Sequence, residues 1–184
     1  MERRIARVNI GAAGGTAARG AKTCKVTLPT AWMDAMGITI NQRELVLAFD
    51  GSQIMLTRRF GGSEFAKRQL AMGHEVRLIQ LYDGENLCTV IYADYTGQEV
   101  VAENQAVPTV KTAFGNNPFP NWEDLQEFLA ERCIPKQRAG LREYLETIGL
   151  EEYDPLHIIE KTGGRMAEDQ QWVTVEVLKC QSDL

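Results

Sequence analysis

The sequence has few of the side chains on which enzyme active sites are most often built. Its two histidines, His74 and His157, lie far apart, and neither has a cysteine or an acidic residue at the spacing of a metal-binding motif. There are three serines, and none occurs in the glycine-flanked motif that presents a nucleophile at a sharp turn. We therefore expect no catalytic residue, no bound metal and no cofactor.

Long apolar runs are absent as well. No stretch of about 18 apolar residues occurs, which excludes a membrane-spanning helix. The first residues, MERRIARVNIG, are charged and do not lead into the apolar segment of a secretory signal. Four widely spaced cysteines without a C-x-x-C pair are typical of reduced thiols. Together these features predict a cytoplasmic protein.

A complete phosphate-binding loop is also missing, although part of one is present. Gly15 and Gly20 have the separation of the two glycines in G-x-x-x-x-G-K-[ST], but Ala21 displaces Lys22 and Thr23 by one position. These two residues also lead into a predicted strand, whereas a P-loop leads into a helix that holds the phosphates at its N-terminus. The stretch is therefore not a nucleotide site, and its basic residues need another explanation.

Charge is distributed unevenly along the chain. Residues 1–61 contain nine basic and four acidic side chains, a net charge of +5. The other 123 residues contain 11 basic and 21 acidic side chains, a net charge of −10. Such asymmetry suggests that the first part meets a polyanion and that the acidic remainder has a different task, although chance clustering on solvated surfaces would look the same.

The first 59 residues show a regular order of short elements. Residues 5–10 alternate apolar and polar side chains, TCKVTLP alternates again up to Pro29, and a short helix follows that ends at Gly37. Two more strands flank Asp50-Gly51, a pair typical of hairpin turns. The predicted order is strand, loop, strand, short helix, strand, turn, strand.

This segment resembles the AbrB/MazE/SpoVT family of swapped-hairpin DNA-binding domains. The likeness is carried by KVTLP at residues 25–29, by a short helix ending in MGI at residues 36–38, and by FDG and IML within the final hairpin. It covers about residues 5–59, less than a third of the chain. The resemblance implies a β-barrel of two interleaved chains, and hence a homodimer that binds double-stranded DNA through basic side chains on its loops.

The segment departs from the family pattern at two places. Cys24 stands where the family usually has glycine, and Met33 or Asp34 stands where many members have an arginine. Because the loop before the second strand is longer than usual and holds basic residues, we expect the DNA contacts to be shifted towards it. The candidate DNA-binding residues are Arg3, Arg4, Arg7, Arg19, Lys22 and Lys25. For Arg3 and Arg4, a solvated terminus is an equally good explanation.

The chain as a whole is predicted to be an α+β protein with one domain at residues 1–60 and an acidic domain at residues 63–184. Gly61-Gly62 is expected to be the linker. Residues 75–105 are predicted to form a β-meander with Asp-Gly and Thr-Gly turns. Three helices are predicted to follow, and QQWVTVEVLK is expected to return to the meander as a strand. The helices are predicted to begin near Asn121, Pro135 and Asp154.

Two polar clusters in the acidic domain are candidate partner-binding sites. ERCIPKQR places Arg132 and Arg138 on either side of a proline, where they could anchor to nearby acids or to a partner. GGRMAEDQQW places Arg165 close to Glu168 and Asp169. Paired acids beside an arginine also allow hydrolysis, although such runs more often form local ion pairs or caps.

Several functions are consistent with this organisation. The leading hypothesis is a DNA-binding transcriptional regulator, in one version an antitoxin-like autorepressor whose acidic domain binds a protein. The acidic domain resembles uncharacterised proteins of Gram-positive bacteria and their mobile elements, which suggests the alternative of a phage or mobile-element anti-defence protein that binds a basic target. A hydrolase at the acidic cluster and a purely structural dimer are the remaining hypotheses.

Overall fold

The computed structural model describes residues 2–14 and 20–179. It shows a mixed α/β protein that divides into two compact units, Met1–Arg59 and Phe60–Leu184. We call these the N-terminal unit and the C-terminal unit. Within the described ranges, no helix is both long and apolar enough to cross a membrane.

The N-terminal unit contains two antiparallel two-stranded ribbons and one short helix. Its described residues do not form a closed barrel within a single chain. In the first ribbon, β1 pairs with β2, and in the second, β3 pairs with β4. The helix, α1, lies between the ribbons in the sequence. The bounds are β1 Val8–Ala12, β2 Lys22–Val26, α1 Thr30–Ala35, β3 Leu45–Phe49 and β4 Ile54–Arg58.

The first strand begins later than predicted. Its ladder starts at the pair Val8↔Val26, although the alternation suggests a strand over residues 5–10. Continuing the same register would place Ile5 opposite Pro29, which has no N–H to donate to the ladder. A strand in this register could therefore not include Ile5, and the observed strand extends instead from Val8 into the Gly/Ala stretch as far as Ala12.

The turn between β3 and β4 is closed by the side chain of Asp50. Its Oδ1 accepts hydrogen bonds from the backbone N–H of Ser52 at 2.8 Å and of Gln53 at 2.9 Å. These bonds lower the pKa of Asp50 to about 2. Gly51 takes the positive φ, +97°, that the first central residue of this tight turn requires.

The C-terminal unit is built on a four-stranded antiparallel sheet in the order β7-β6-β5-β8. The predicted meander forms its first three strands, and β8 pairs antiparallel with β5, as expected for the returning strand. The bounds are β5 Val76–Asp83, β6 Asn86–Asp94, β7 Glu99–Asn104 and β8 Gln171–Leu178.

Helices cover this sheet, and most of their ends follow local sequence signals. Asn121 and Asp124 form a complete capping box at the start of α3, and Asp154 caps α5 with Pro155 in its first turn. The prediction for α4 was wrong at its start, because residues 135–140 form turns and the helix begins only after Gly140. The bounds are α2 Gly62–Ala71, α3 Trp122–Glu131, α4 Leu141–Thr147 and α5 Pro155–Thr162, with a 3₁₀ turn at Thr109–Lys111.

The core of the C-terminal unit lies between the sheet and the helices α3, α4 and α5. Ile79 and Ile91, opposite each other on β5 and β6, pack in one cluster with Leu125 and Leu129 of α3 and with Ile159 of α5. All five side chains are buried. In α3, residues 125, 128 and 129 are buried on one side of the helix, and Trp122 packs partly buried against the same core.

Gly62 is part of this unit rather than a linker residue. It is the first residue of α2, it is buried, and its N–H donates to Glu103 Oε1 at 2.7 Å. A Cβ on Gly62 would lie 2.1 Å from two ring carbons of Tyr92 on β6. The glycine is therefore needed for close packing of α2 on the sheet.

Candidate functional site

The first ribbon of the N-terminal unit has one polar face and one apolar face. Its register places Asn9 opposite Lys25 and Gly11 opposite Thr23, so these four residues share one face. The other face carries the pairs Val8↔Val26, Ile10↔Cys24 and Ala12↔Lys22. Lys22 and Lys25, which the sequence groups together, thus lie on opposite faces of the ribbon.

The other predicted DNA-binding residues have different surroundings. Arg3 and Arg7 are exposed and, like the two lysines, form no ion pair with any described residue. Arg4 is engaged locally, since it pairs with Glu2 at 2.8 Å and lies over the ring of Trp32. Hydrogen bonds from Trp32 and Arg4 lower the pKa of Glu2. Arg19 lies outside the described residues.

The second ribbon adds basic side chains that were not among the candidate DNA-binding residues. Arg59 pairs with Glu44 at 2.8 Å, and Arg58 donates to Gln42 Oε1 at 2.6 Å. Arg43 is exposed and has no ion-pair partner among the described residues. Its position in the link before β3 gave no sequence signal beyond its charge.

The N-terminal unit leaves most of its apolar side chains exposed to solvent. No described residue between 2 and 59 is buried. On one face of the second ribbon, Leu47 is 66% exposed, Phe49 70% and Ile54 64%. On the apolar face of the first ribbon, Ile10 is 64% exposed. Contiguous exposed apolar surface of this kind is uncommon on monomeric soluble proteins.

In the C-terminal unit, Arg132 and Asp169 are brought together as a pair. Arg132 donates to both carboxylate oxygens of Asp169, at 2.6 and 3.1 Å. It also donates to the carbonyl oxygen of Gly164 and to the carbonyl and side-chain oxygens of Gln171. All five N–H donors of this buried guanidinium are therefore used within the chain. Of the two alternatives for Arg132, the structure shows the anchor to a nearby acid.

This pairing keeps Asp169 ionised. The hydrogen bonds from Arg132 lower the pKa of its carboxyl group, against the opposing effect of partial burial. Both of its oxygens are occupied, so Asp169 is a poor candidate for a general acid. Glu168 is exposed beside it. The geometry of this pair does not support the hydrolase hypothesis.

The other two candidate partner-binding residues lie apart from this pair. Arg138 is exposed in the turn that precedes α4, where its N–H bonds the carbonyl oxygen of Pro135. Arg165 lies over the ring of Trp172, at 5.2 Å from its centroid. Trp172 in turn stacks on Tyr82 at 4.5 Å. The five predicted residues therefore do not form one site.

A groove runs along α3 beside the Arg132–Asp169 pair, and we call it the α3 groove. It consists of two adjoining cavities, of about 360 and 160 Å³, that share Ala113, Phe128 and Glu131. Apolar side chains line part of it, among them Phe128, Val110 and Met166. The acidic residues that line it are Asp124, Glu127, Glu131, Glu168 and Asp169. Three of the five candidate partner-binding residues line the groove, namely Arg132, Glu168 and Asp169.

The two histidines have different surroundings. His74 Nδ1 lies 2.7 Å from Oδ2 of the buried Asp94, whose other oxygen accepts from the N–H groups of Thr96 and Gly97. His157 is exposed at the start of α5. Over residues 2–14 and 20–179, no group of three or more histidine, cysteine or acidic residues could hold a metal ion.

Comparisons with protein-family models, with curated proteins and with solved structures found no match to this chain.

Proposed function

We propose that this protein is a cytoplasmic, homodimeric DNA-binding transcriptional regulator of the swapped-hairpin type. In this proposal two N-terminal units interleave into one β-barrel, and the C-terminal unit binds a partner protein, as in an antitoxin-like autorepressor. The observation that carries the proposal is the N-terminal unit itself, in which no described residue is buried although both ribbons carry apolar faces.

Exposure of these apolar side chains in the single chain favours a second copy, because the free energy of burying them is not gained. Burial of a single leucine or phenylalanine side chain contributes about 1.5–3 kcal/mol. Leu47, Phe49, Ile54 and Ile10 are each more than 60% exposed in the single chain. A short ribbon without such burial is at best marginally stable in water. Covering the apolar side chains of both ribbons with those of a second chain would supply the missing core, and Lys22, in the last pair of the first ribbon, would stay at the edge of the covered face.

The charge of the N-terminal unit favours DNA as its ligand. The first 61 residues have a net charge of +5, and Arg3, Arg7, Lys22, Lys25 and Arg43 form no ion pair with a described residue. Unpaired basic side chains neutralise phosphates and release their counterions, which gives binding that weakens steeply with salt. Asn9 beside Lys25 on the polar face adds a side chain able to donate and accept hydrogen bonds at base edges.

The experiment is a comparison of two DNA duplexes of equal length. One is taken from immediately upstream of the gene for this protein, and the other has the same base composition in scrambled order. A regulator of its own gene should bind the first at least about tenfold more tightly at physiological salt. Equal affinity for the two duplexes would contradict autoregulation, and no binding to either would contradict the proposal as a whole.

A further inference from the structure

The α3 groove combines an apolar floor with carboxylates that have no internal partner. Phe128 is almost completely buried at its base, whereas Val110, on its edge, is 88% exposed. Glu127, Glu131 and Glu168 are exposed around it, and no described residue forms an ion pair with any of the three. A concave surface that is partly apolar and rimmed by polar residues is typical of a binding groove.

The nearby basic residues are already engaged elsewhere. Arg132, which borders the groove, directs its guanidinium to Asp169, Gly164 and Gln171. Lys111, next to Val110 in the sequence, bonds the carboxylate of Asp83. The groove is therefore lined by negative charge that these cations do not neutralise.

The helix itself adds to this negative potential. Asp124, Glu127 and Glu131 are spaced at i, i+3 and i+7, which places them on one side of α3. Glu131 is the last residue of the helix, and the last turn contains no basic residue. A helix C-terminus carries partial negative charge, which makes the acid at Glu131 unfavourable, and the guanidinium of Arg132 at the C-cap is already paired with Asp169. A bound cationic side chain would remove this penalty.

We propose that the α3 groove binds a basic segment of a partner protein that also carries apolar side chains. Lysine or arginine side chains of the segment would pair with Glu127, Glu131 and Glu168, while an apolar side chain would cover Val110 and contact Phe128. The α3 groove would thus be the place where the C-terminal unit binds the partner protein proposed above. Only the role of that partner rests on the proposed function.

The test uses the full-length protein and a short fluorescein-labelled peptide that contains only lysine and leucine. The triple variant Glu127→Gln, Glu131→Gln and Glu168→Gln should weaken peptide binding about tenfold. The matched control is the triple variant Glu85→Gln, Glu151→Gln and Glu152→Gln, which removes the same charge at exposed acids that do not line the groove. It should retain most of the affinity. Equal weakening by the two triple variants would overturn the proposal.

A second pair of variants tests the apolar part. Val110→Ser should weaken peptide binding about fivefold, because the covered side chain loses its apolar area. Met72→Ser removes an apolar side chain that is 59% exposed and does not line the groove, and it should leave binding unchanged. Unchanged affinity of Val110→Ser would overturn the proposal.

Two further measurements separate this inference from its alternatives. A peptide copied from residues 2–12, itself basic and apolar, tests a second copy of this chain as the occupant. If it bound more tightly than the lysine-leucine peptide, the partner-protein proposal would be overturned. Measuring DNA affinity of the groove variants keeps the two proposals distinct, because those variants should lose the peptide and retain DNA binding.

Discussion

At the scale of single residues, Gly62 fixes how closely α2 approaches the sheet. We expect Gly62→Ala to destabilise the C-terminal unit by about 1–3 kcal/mol, because the new methyl group would overlap the ring of Tyr92. Gly61→Ala is the matched control, since a Cβ there meets only Glu103 Oε1 at 3.4 Å. Urea unfolding of the full chain measures both. Equal stability of the two variants would show that α2 tolerates a side chain at position 62.

Arg132 is the second residue whose replacement has a defined cost. Lysine cannot reproduce the planar fork that Arg132 presents to Asp169, Gly164 and Gln171, so Arg132→Lys would leave acceptors unpaired. We expect a loss of about 2–3 kcal/mol of unfolding free energy. Arg138→Lys, in an exposed turn, should change stability by less than about 0.5 kcal/mol. Similar effects of the two substitutions would show that the hydrogen bonds of the Arg132 guanidinium do not stabilise the C-terminal unit.

The Arg132–Asp169 pair predicts how the stability of the C-terminal unit depends on pH. Because the pKa of Asp169 is lowered in the folded state, its contribution is fully present above the ordinary aspartate pKa of about 3.9. It is lost as the pH falls through the lowered pKa, since the unfolded chain then binds the proton more readily. The stability difference between wild type and Asp169→Asn should therefore be constant from neutral pH to about pH 4 and shrink below it. A difference that grows on acidification would contradict the account.

At the scale of elements, sequence reasoning succeeds where the cause is local. The signals that start α3 at Asn121 and α5 at Asp154 each lie within four residues, and both helices begin where the sequence predicts. The late start of α4 is also local, yet a proline in a first-turn pattern gave a misleading signal. The α3 groove was not predicted, because it joins residues from positions 81 to 171.

The faces of the two ribbons can be predicted from the sequence only in part. Alternation along β2 already places Lys22 and Lys25, three residues apart, on opposite faces, whereas the β1 residues that lie opposite them depend on where the pairing begins. Pro29 sets that limit. The candidate DNA-binding residues were chosen by charge and sequence proximity, and neither reveals which face a side chain shares.

The apolar face of the second ribbon allows a direct test of the proposed dimer. If a second copy covers it, Phe49→Ser removes a large apolar side chain from both halves of the dimer, and the dimer dissociation constant should rise at least about a hundredfold. Sedimentation equilibrium on the full chain measures this constant. Met72→Ser, on the C-terminal unit, serves as the control and should leave it unchanged. A monomeric wild-type protein would contradict the dimer directly.

At the scale of the whole molecule, the chain joins a basic unit whose described residues form no buried core to an acidic unit that has one. The C-terminal unit contains the buried cluster built around Ile79, Leu125 and Ile159, whereas the described N-terminal residues contribute no buried side chain. This contrast agrees with the proposed function, in which the N-terminal units assemble on DNA and the C-terminal unit binds a partner.

The most direct test of this account is the salt dependence of DNA binding by the full-length protein. Fluorescence anisotropy would compare wild type with the triple variant Arg19→Ala, Lys22→Ala and Lys25→Ala. The control removes three exposed lysines from the C-terminal unit, at Lys67, Lys161 and Lys179. Loss of six phosphate contacts per dimer would make the negative slope of log affinity against log salt shallower by up to about 5. The account predicts this shallower slope for the first variant alone, and equal slopes in all three proteins would contradict it.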